Sequence, residues 1–170
     1  MTRVPSSRPS PADEMSVSIQ ENDFDVASEL AALRSGNSKV GAMVSFVGLV
    51  RDFSKDDKIE NIFLEHYPGM TEKALGKIIH EATVRWNLLG TRVIHRIGLL
   101  RPNDQIVLVA TAALHRREAF ASCEFIIDYL KTAAPFWKRE QTGHGGGHWL
   151  ETRDSDIQRM EHWIKAEKST

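Results

Sequence analysis

The sequence predicts a single α+β domain, a mixed sheet with a β-hairpin and packed helices, and three observations carry that expectation. Strand-like and helix-like segments mix irregularly, without the regular alternation of a parallel α/β sheet. Two β-rich segments, "KVGAMVSFVGLVRDF" and "IENIFLEHY", flank a short charged stretch and read as hairpin partners. One nearly continuous apolar run, "QIVLVATAAL", has the character of a central strand covered on both faces.

The elements follow in order. Residues 1–15 hold three of the six prolines and no apolar centre, so they read as a disordered tail and not as a secretory signal. The domain is expected over residues 16–170. "SVSIQ" is a short strand. In "NDFDVASELAALRSGN", Asn and Asp offer caps, Val26, Leu30 and Leu33 keep helical spacing, and Gly36 offers a stop. In the next strand, Gly41 and Gly48 mark a bulge or a close backbone approach. "DFSKDDK" is a loop, and "IENIFLEHY" the second strand. "PGMTEKALGKIIHEATVRWNL" turns into a helix with Leu75, Ile78, Ile79, Ala82 and Trp86 on one face. "TRVIHRIGLL" alternates as a strand, "RPND" turns, and the buried strand follows. The longest helix is expected from about Arg116 to Thr132, ended by Pro135, because the residue before a proline avoids helical angles. "FWKRE" is extended, "TGHGGGH" is a flexible turn and "WLET" an edge segment. "RDSDIQRMEHWIKAEK" closes the chain as a helix capped by Asp154 or Ser155.

Composition narrows the function classes. Lys plus Arg number 22 and Asp plus Glu 23, a net charge of −1, which argues against a general nucleic-acid binder but not against a local basic pocket. The single cysteine, Cys123, excludes an internal disulfide framework and fits a reducing compartment. No apolar run approaches the roughly 18 residues of a membrane span. A soluble, cytoplasmic protein is expected.

The informative charges lie near the end of the long helix. In "DYLKTAAPFWKRE", Lys131 and Lys138 flank a run of apolar and small residues, where a charge is costly unless something answers it. One reading is that both lay their stems on apolar surface with the heads in water. On a helical wheel, however, Ala119, Cys123, Ile126 and Leu130 share the core face, and Phe120, Ile127 and Lys131 lie on the adjoining flank. Lys131 thus borders the core and suits a pocket lining. Arg51 follows "SFVGLV" where that strand runs out, and His115 and Arg116 sit where the buried strand enters the long helix. Such junctions aim side chains into crevices. Bases at a helix N-terminus oppose its dipole, a conflict that an anionic ligand removes; a solvated first turn is the alternative. Arg116 and Lys131 lie roughly 22 Å apart along a straight helix. If both serve one kind of site, two subunits share it, and a homodimer follows.

In this order, "LEHYPGMTEKAL", "VIHRIG", "LHRREAF", "DYLKTAAPFWKRE" and "WLETRDSD" resemble the large, catalytic subunit of molybdopterin synthase, over residues 40–156. The resemblance implies an α/β-hammerhead-like fold and a homodimer that binds a small ubiquitin-like sulfur-carrier subunit at each end, a heterotetramer. The carrier's C-terminal Gly-Gly thiocarboxylate would donate sulfur to cyclic pyranopterin monophosphate, and two transfers would build the molybdopterin dithiolene. No cofactor, metal, nucleic acid or membrane is implied. By the same resemblance Lys131 and Lys138 are the catalytic lysines. Arg51 and Arg153 belong to the substrate pocket, and Phe46 is a pocket aromatic. His115 and Arg116 are contributed by the neighbouring subunit. Ile127 stands where relatives often have Met. "GHGGGH" departs from the acidic residues that relatives tend to carry there.

The residue types suit that chemistry. Arginine grips phosphate oxygens bidentately, which favours Arg51, Arg116 and Arg153 for the substrate phosphate. A fixed ammonium near the developing negative charge contributes about 3–4 kcal/mol to a transition state, and Lys131 is the candidate. A lysine with a lowered pKa, or His115, could move protons. Cys123 lies on the core face and reads as a small hydrophobe, not a sulfur carrier. His144 and His148 could bind a metal only with further ligands, so a surface turn is expected there. The rival function is a non-catalytic scaffold that binds a ubiquitin-like protein. The full basic set argues against it, since docking alone would not need them all.

Overall fold

A computed structural model describes residues 15–54, 57–142, 147–149 and 154–167. Its centre is strand β7 (Gln105–Ala113), with residues 107–113 all buried. Val107, Val109 and Ala113 face one layer of helices, while Leu108 and Ala110 face another. This two-sided cover is why the run reads as continuous apolar sequence.

Four strands make the first sheet, in the order β1 (Met15–Gln20), β5 (Gly90–Arg96), β7 and β2 (Ala42–Leu49). β1 runs parallel to β5, and the other pairs are antiparallel. Helices α2 (Met70–Trp86) and α3 (Arg116–Thr132) cover one face, through Leu75, Ile79, Ala82, Phe125 and Ile126. The smaller α1 (Val26–Arg34) packs on the other face through Val26, Leu30 and Leu33. Each fully buried Ile or Leu contributes about 1.5–3 kcal/mol. The expected Asp cap of α1 is present, Asp25 accepting from the Ser28 N–H at 2.7 Å, and Asn87 ends α2 in the left-handed region at φ 51°.

The second sheet comprises β3 (Phe53–Ser54), β4 (Asp57–His66), β8 (Phe136–Thr142) and β9 (Gly147–Trp149), with β6 (Gly98–Leu100) also on β4. Its own core is Val50, Ile59, Ile62, Leu64 and Leu100. Helix α4 (Asp154–Glu167) docks on α3, where Trp163 Nε1 donates to the buried Asp128 carboxylate at 2.8 Å.

The α+β class, a hairpin and the packed helices stand, but several local expectations are corrected. β2 does not pair with β4; its partner is β7, and β4 forms its hairpin with β3. The register shifts at Gly48/Leu49, and Val50 is then clamped to the 103–104 turn by two backbone hydrogen bonds of 2.8 and 2.9 Å. That clamp turns the chain out of the first sheet. The expected loop at residues 52–58 is therefore partly strand. "TRVIHRIGLL" splits into β5 and β6 because Gly98, at φ 81°, carries the chain from one sheet to the other. Asp154 is the first residue of α4 and not its cap. Gly41 and Gly48 are close-approach positions, as a Cβ on Gly41 would strike the Leu114 carbonyl and one on Gly48 would lie 2.7 Å from Val107 Cγ1. Residues 1–14 of the expected tail lie outside the described residues, and Met15 already belongs to β1. No described helix is long and apolar enough to cross a membrane.

Candidate active site

Helix α3 lays Ala119, Cys123, Ile126 and Leu130 onto the first sheet, all buried. That register leaves Ile127 and Lys131, one turn apart, on the flank beside β2. Lys131 is exposed and lies in the last turn, where the negative end of the helix dipole favours an ammonium. Thr71 Oγ1 donates to the Pro135 carbonyl at 3.1 Å, tying the start of α2 to the bend between α3 and β8.

Strand β8 then alternates. Phe136, Lys138 and Glu140 are the more buried set, and Trp137 and Arg139 the exposed one. Lys138 Nζ lies 2.9 Å from Glu140 Oε1, with the lysine side chain 34% exposed and the glutamate 7%. On β5, His95 stacks on Phe136, with ring centroids 3.7 Å apart and planes at 16°. Burial, chiefly, holds the His95 imidazole down to about 4, with the charges of Lys131 and His66 acting in the same sense against a hydrogen bond to the Arg96 carbonyl. It is neutral near pH 7.

These elements enclose a cavity of about 270 Å³. Phe46, Gly48 and Leu49 of β2 form one wall, and Ile127, Leu130 and Lys131 of α3 another. His95, Phe136 and Lys138 close it from the two sheets, and Asp156 of α4 stands at its margin. Two lysines thus line a largely apolar and aromatic hollow, a place suited to a small, flat anion.

Of the residues singled out in the sequence, the cavity gathers Phe46, Ile127, Lys131 and Lys138. Arg51 is exposed two residues beyond Leu49 and does not line the cavity. His115, the N-cap of α3, and Arg116 are exposed at the opposite end of that helix from Lys131. Within one chain they do not join the pocket. Arg153 and His144 lie outside the described residues, as does the side chain of His148. Sequence reasoning missed Glu140, His95 and Asp156 as site residues. For Glu140 the signal was present: it lies two positions from Lys138, hence on the same face of an alternating strand.

Cys123 is buried, its Sγ 3.6 Å from the Val109 carbonyl, and burial pushes its thiol up to about 12. It behaves as core. Among the described residues no group of three or more His, Cys, Asp or Glu is placed to hold a metal ion.

The profile of the family described as MoaE protein matches residues 19–133. A molybdopterin synthase catalytic subunit of Ralstonia nicotianae is 54% identical over 147 residues, 86% of this chain and 83% of the relative. One from Pseudomonas aeruginosa is 51% identical, covering 88% of this chain and 99% of the relative. Among solved structures, the molybdopterin biosynthesis MoaE protein of Burkholderia ambifaria MC40-6 superposes with a TM-score of 0.76 at 52% identity, covering 88% of this chain and 97% of that one. The chain belongs to the MoaE protein family, the molybdopterin synthase catalytic subunits, which are sulfur-transferring enzymes of molybdenum cofactor biosynthesis.

Proposed function

We propose that this chain moves sulfur from the C-terminal thiocarboxylate of a small ubiquitin-like carrier subunit onto cyclic pyranopterin monophosphate, in the cavity beside the end of α3. The observation that carries the reading is the convergence of Lys131 and Lys138, from a helix and a strand, on one hollow of about 270 Å³. The thiocarboxylate sulfur attacks a substrate carbon, and the new C–S bond forms as the bond from that carbon to a cyclic-phosphate oxygen breaks, its electron pair leaving on the phosphate. Water then cleaves the acyl–sulfur bond, which returns the carrier with a carboxylate and leaves a thiolate on the substrate. Negative charge grows on the opening phosphate during the attack, and on the acyl oxygen and the departing thiolate during the hydrolysis. Lys131 stabilises that charge, and Lys138, held by Glu140, offers a second fixed ammonium. Phe46 and Ile127 form the apolar wall against which the heterocycle lies.

Arginine suits the substrate phosphate, yet none lines the cavity among the described residues. Arg51, two residues past Leu49 in the chain, and Arg153 are the same-chain candidates. His115 and Arg116, too far along α3 to reach their own pocket, serve the pocket of a second copy. The working assembly is thus a homodimer with a carrier at each end, in the cytoplasm. Reconstitution tests this directly. Wild-type protein, thiocarboxylated carrier and cyclic pyranopterin monophosphate should yield molybdopterin; tight carrier binding without product would leave a non-catalytic scaffold.

A further inference from the structure

Strand β2 is an open edge of the first sheet: β7 pairs with one side of it, and among the described residues no strand pairs with the other. Its sequence, "AMVSFVGL", has no charge and no proline, and its bulge comes only at Gly48/Leu49. Edge strands ordinarily carry such features, because their unpaired N–H and C=O groups invite another strand. Exposed apolar side chains lie along this edge. Phe46 and Leu49 belong to β2 itself, Leu114 follows β7 beside Gly41, and Phe120 lies on the flank of α3 that Ile127 and Lys131 continue. The opposite edge strand, β1, alternates with Ser16, Ser18 and Gln20.

The direction of this edge matters as well. Helix α3 runs alongside β2 in the same sense: the Leu114 carbonyl, just before the helix, lies against Gly41, and Ile127 and Lys131 share the cavity with Gly48 and Leu49. The strand spans about 26 Å at ~3.3 Å per residue, close to the roughly 22 Å between Arg116 and Lys131. Antiparallel pairing with β2 of a second copy reverses the strand over that same distance. It therefore sets the partner's His115 and the partner's Arg116 beside this copy's Leu49 and Lys131. Arginine is the side chain that suits a phosphate, and among the described residues of one chain none lines the cavity. A two-fold axis normal to the sheet keeps α3 of both copies on one face and makes one mid-strand residue face its own copy. Ser45, small and exposed near the middle of β2, fits there.

We infer that the free edge of β2 is the homodimer interface, two copies pairing antiparallel about a two-fold axis at Ser45 so that their four-stranded sheets become one and carry two composite cavities. The inference rests on the reading that His115 and Arg116 serve the pocket of a second copy. Leu114 and Phe120 of each copy then approach Phe46 and Leu49 of the other, and the interface is self-complementary.

Sedimentation of the chain alone tests this independently of turnover. Wild type should have twice the 19.2 kDa mass of one chain. Ser45→Lys sets two like charges face to face at the axis and should be a folded monomer, whereas Ser45→Thr should remain a dimer. Ser45→Cys should oxidise to a covalent dimer, since Cys123 is buried and does not compete. Phe120→Glu, a change at an exposed position, gives a second route to the monomer if Ser45→Lys does not fold. In the reconstituted complex, Ser45→Lys should lose transfer about 10-fold or more, with Lys131 intact, because its pocket lacks the second copy's Arg116. A monomeric wild type overturns the inference, as does a dimer that Ser45→Lys leaves intact. Should wild type be monomeric and Ser45→Lys abolish carrier binding, the edge belongs to the carrier and the inference is likewise overturned. A wild-type dimer that Ser45→Lys dissociates, with no product from either, upholds the interface and overturns the transfer reading.

Discussion

Glu140 anchors Lys138: its buried carboxylate lies 2.9 Å from the ammonium, two residues away on the same face of β8. Lys131, by contrast, is exposed at the end of α3. The two lysines therefore share a pocket but differ in what their removal does to the fold. Lys138→Ala strands a buried carboxylate and should cost about 1–3 kcal/mol, whereas Lys131→Ala should stay within about 0.5 kcal/mol of wild type. Glu140→Ala should destabilise like Lys138→Ala and slow transfer as well, because it releases the second ammonium. Thermal melts of the three variants check this; equal melting of all three would contradict it.

The separation of Arg116 from Lys131 by the whole length of α3 makes a prediction about mixed dimers. Arg116→Ala and Lys131→Ala should each be nearly inactive alone. Co-refolded at equal amounts, they should recover about one quarter of wild-type activity, since half the dimers carry one intact composite site of two. Activity that stays at the level of the single variants would place both residues in the same subunit's site.

His95 gives stability a dependence on acid. The unfolded chain takes up its proton near 6.5 and the folded chain only near 4. The stability that its neutral form contributes is therefore complete above pH 6.5 and lost as pH falls through that window. Melting temperatures between pH 7.5 and 4.5 should fall more steeply for wild type than for His95→Phe. Parallel curves would contradict the assignment.

Much of this site was legible because its elements are local. The 3.6-residue period of α3 and its stop at Pro135 follow from the sequence alone, and they place Lys131 beside the apolar face. What was not legible depends on long-range register. The β2–β7 pairing joins residues more than fifty positions apart, and a nearest-neighbour hairpin was the wrong choice because a bulge at Gly48/Leu49 turns the chain away. The stacking of His95 on Phe136 likewise needs two sheets to meet, and no spacing along the chain encodes it. Glu140 was overlooked for a simpler reason: a glutamate in "FWKRE" looks like surface until the alternation of β8 is followed.

Cys123 should be dispensable. Burial raises its thiol from an ordinary 9 to about 12, so the folded protein should resist alkylation at pH 8 and react once unfolded in urea. Because the folded value is the raised one, its stabilising contribution is lost as pH climbs from about 9 towards 12. Cys123→Ala should cost about 1 kcal/mol and leave the transfer rate within about 2-fold. Loss of transfer in a folded Cys123→Ala protein would move the sulfur onto the chain itself.

The most direct test of the central claim is a single-turnover reconstitution of Lys131→Ala beside wild type, with carrier binding measured on the same samples. With binding unchanged, loss of a fixed ammonium at the developing charge should slow molybdopterin formation by about 100-fold or more. Product formed at the wild-type rate by Lys131→Ala would contradict the account and put the transfer outside the cavity beside α3.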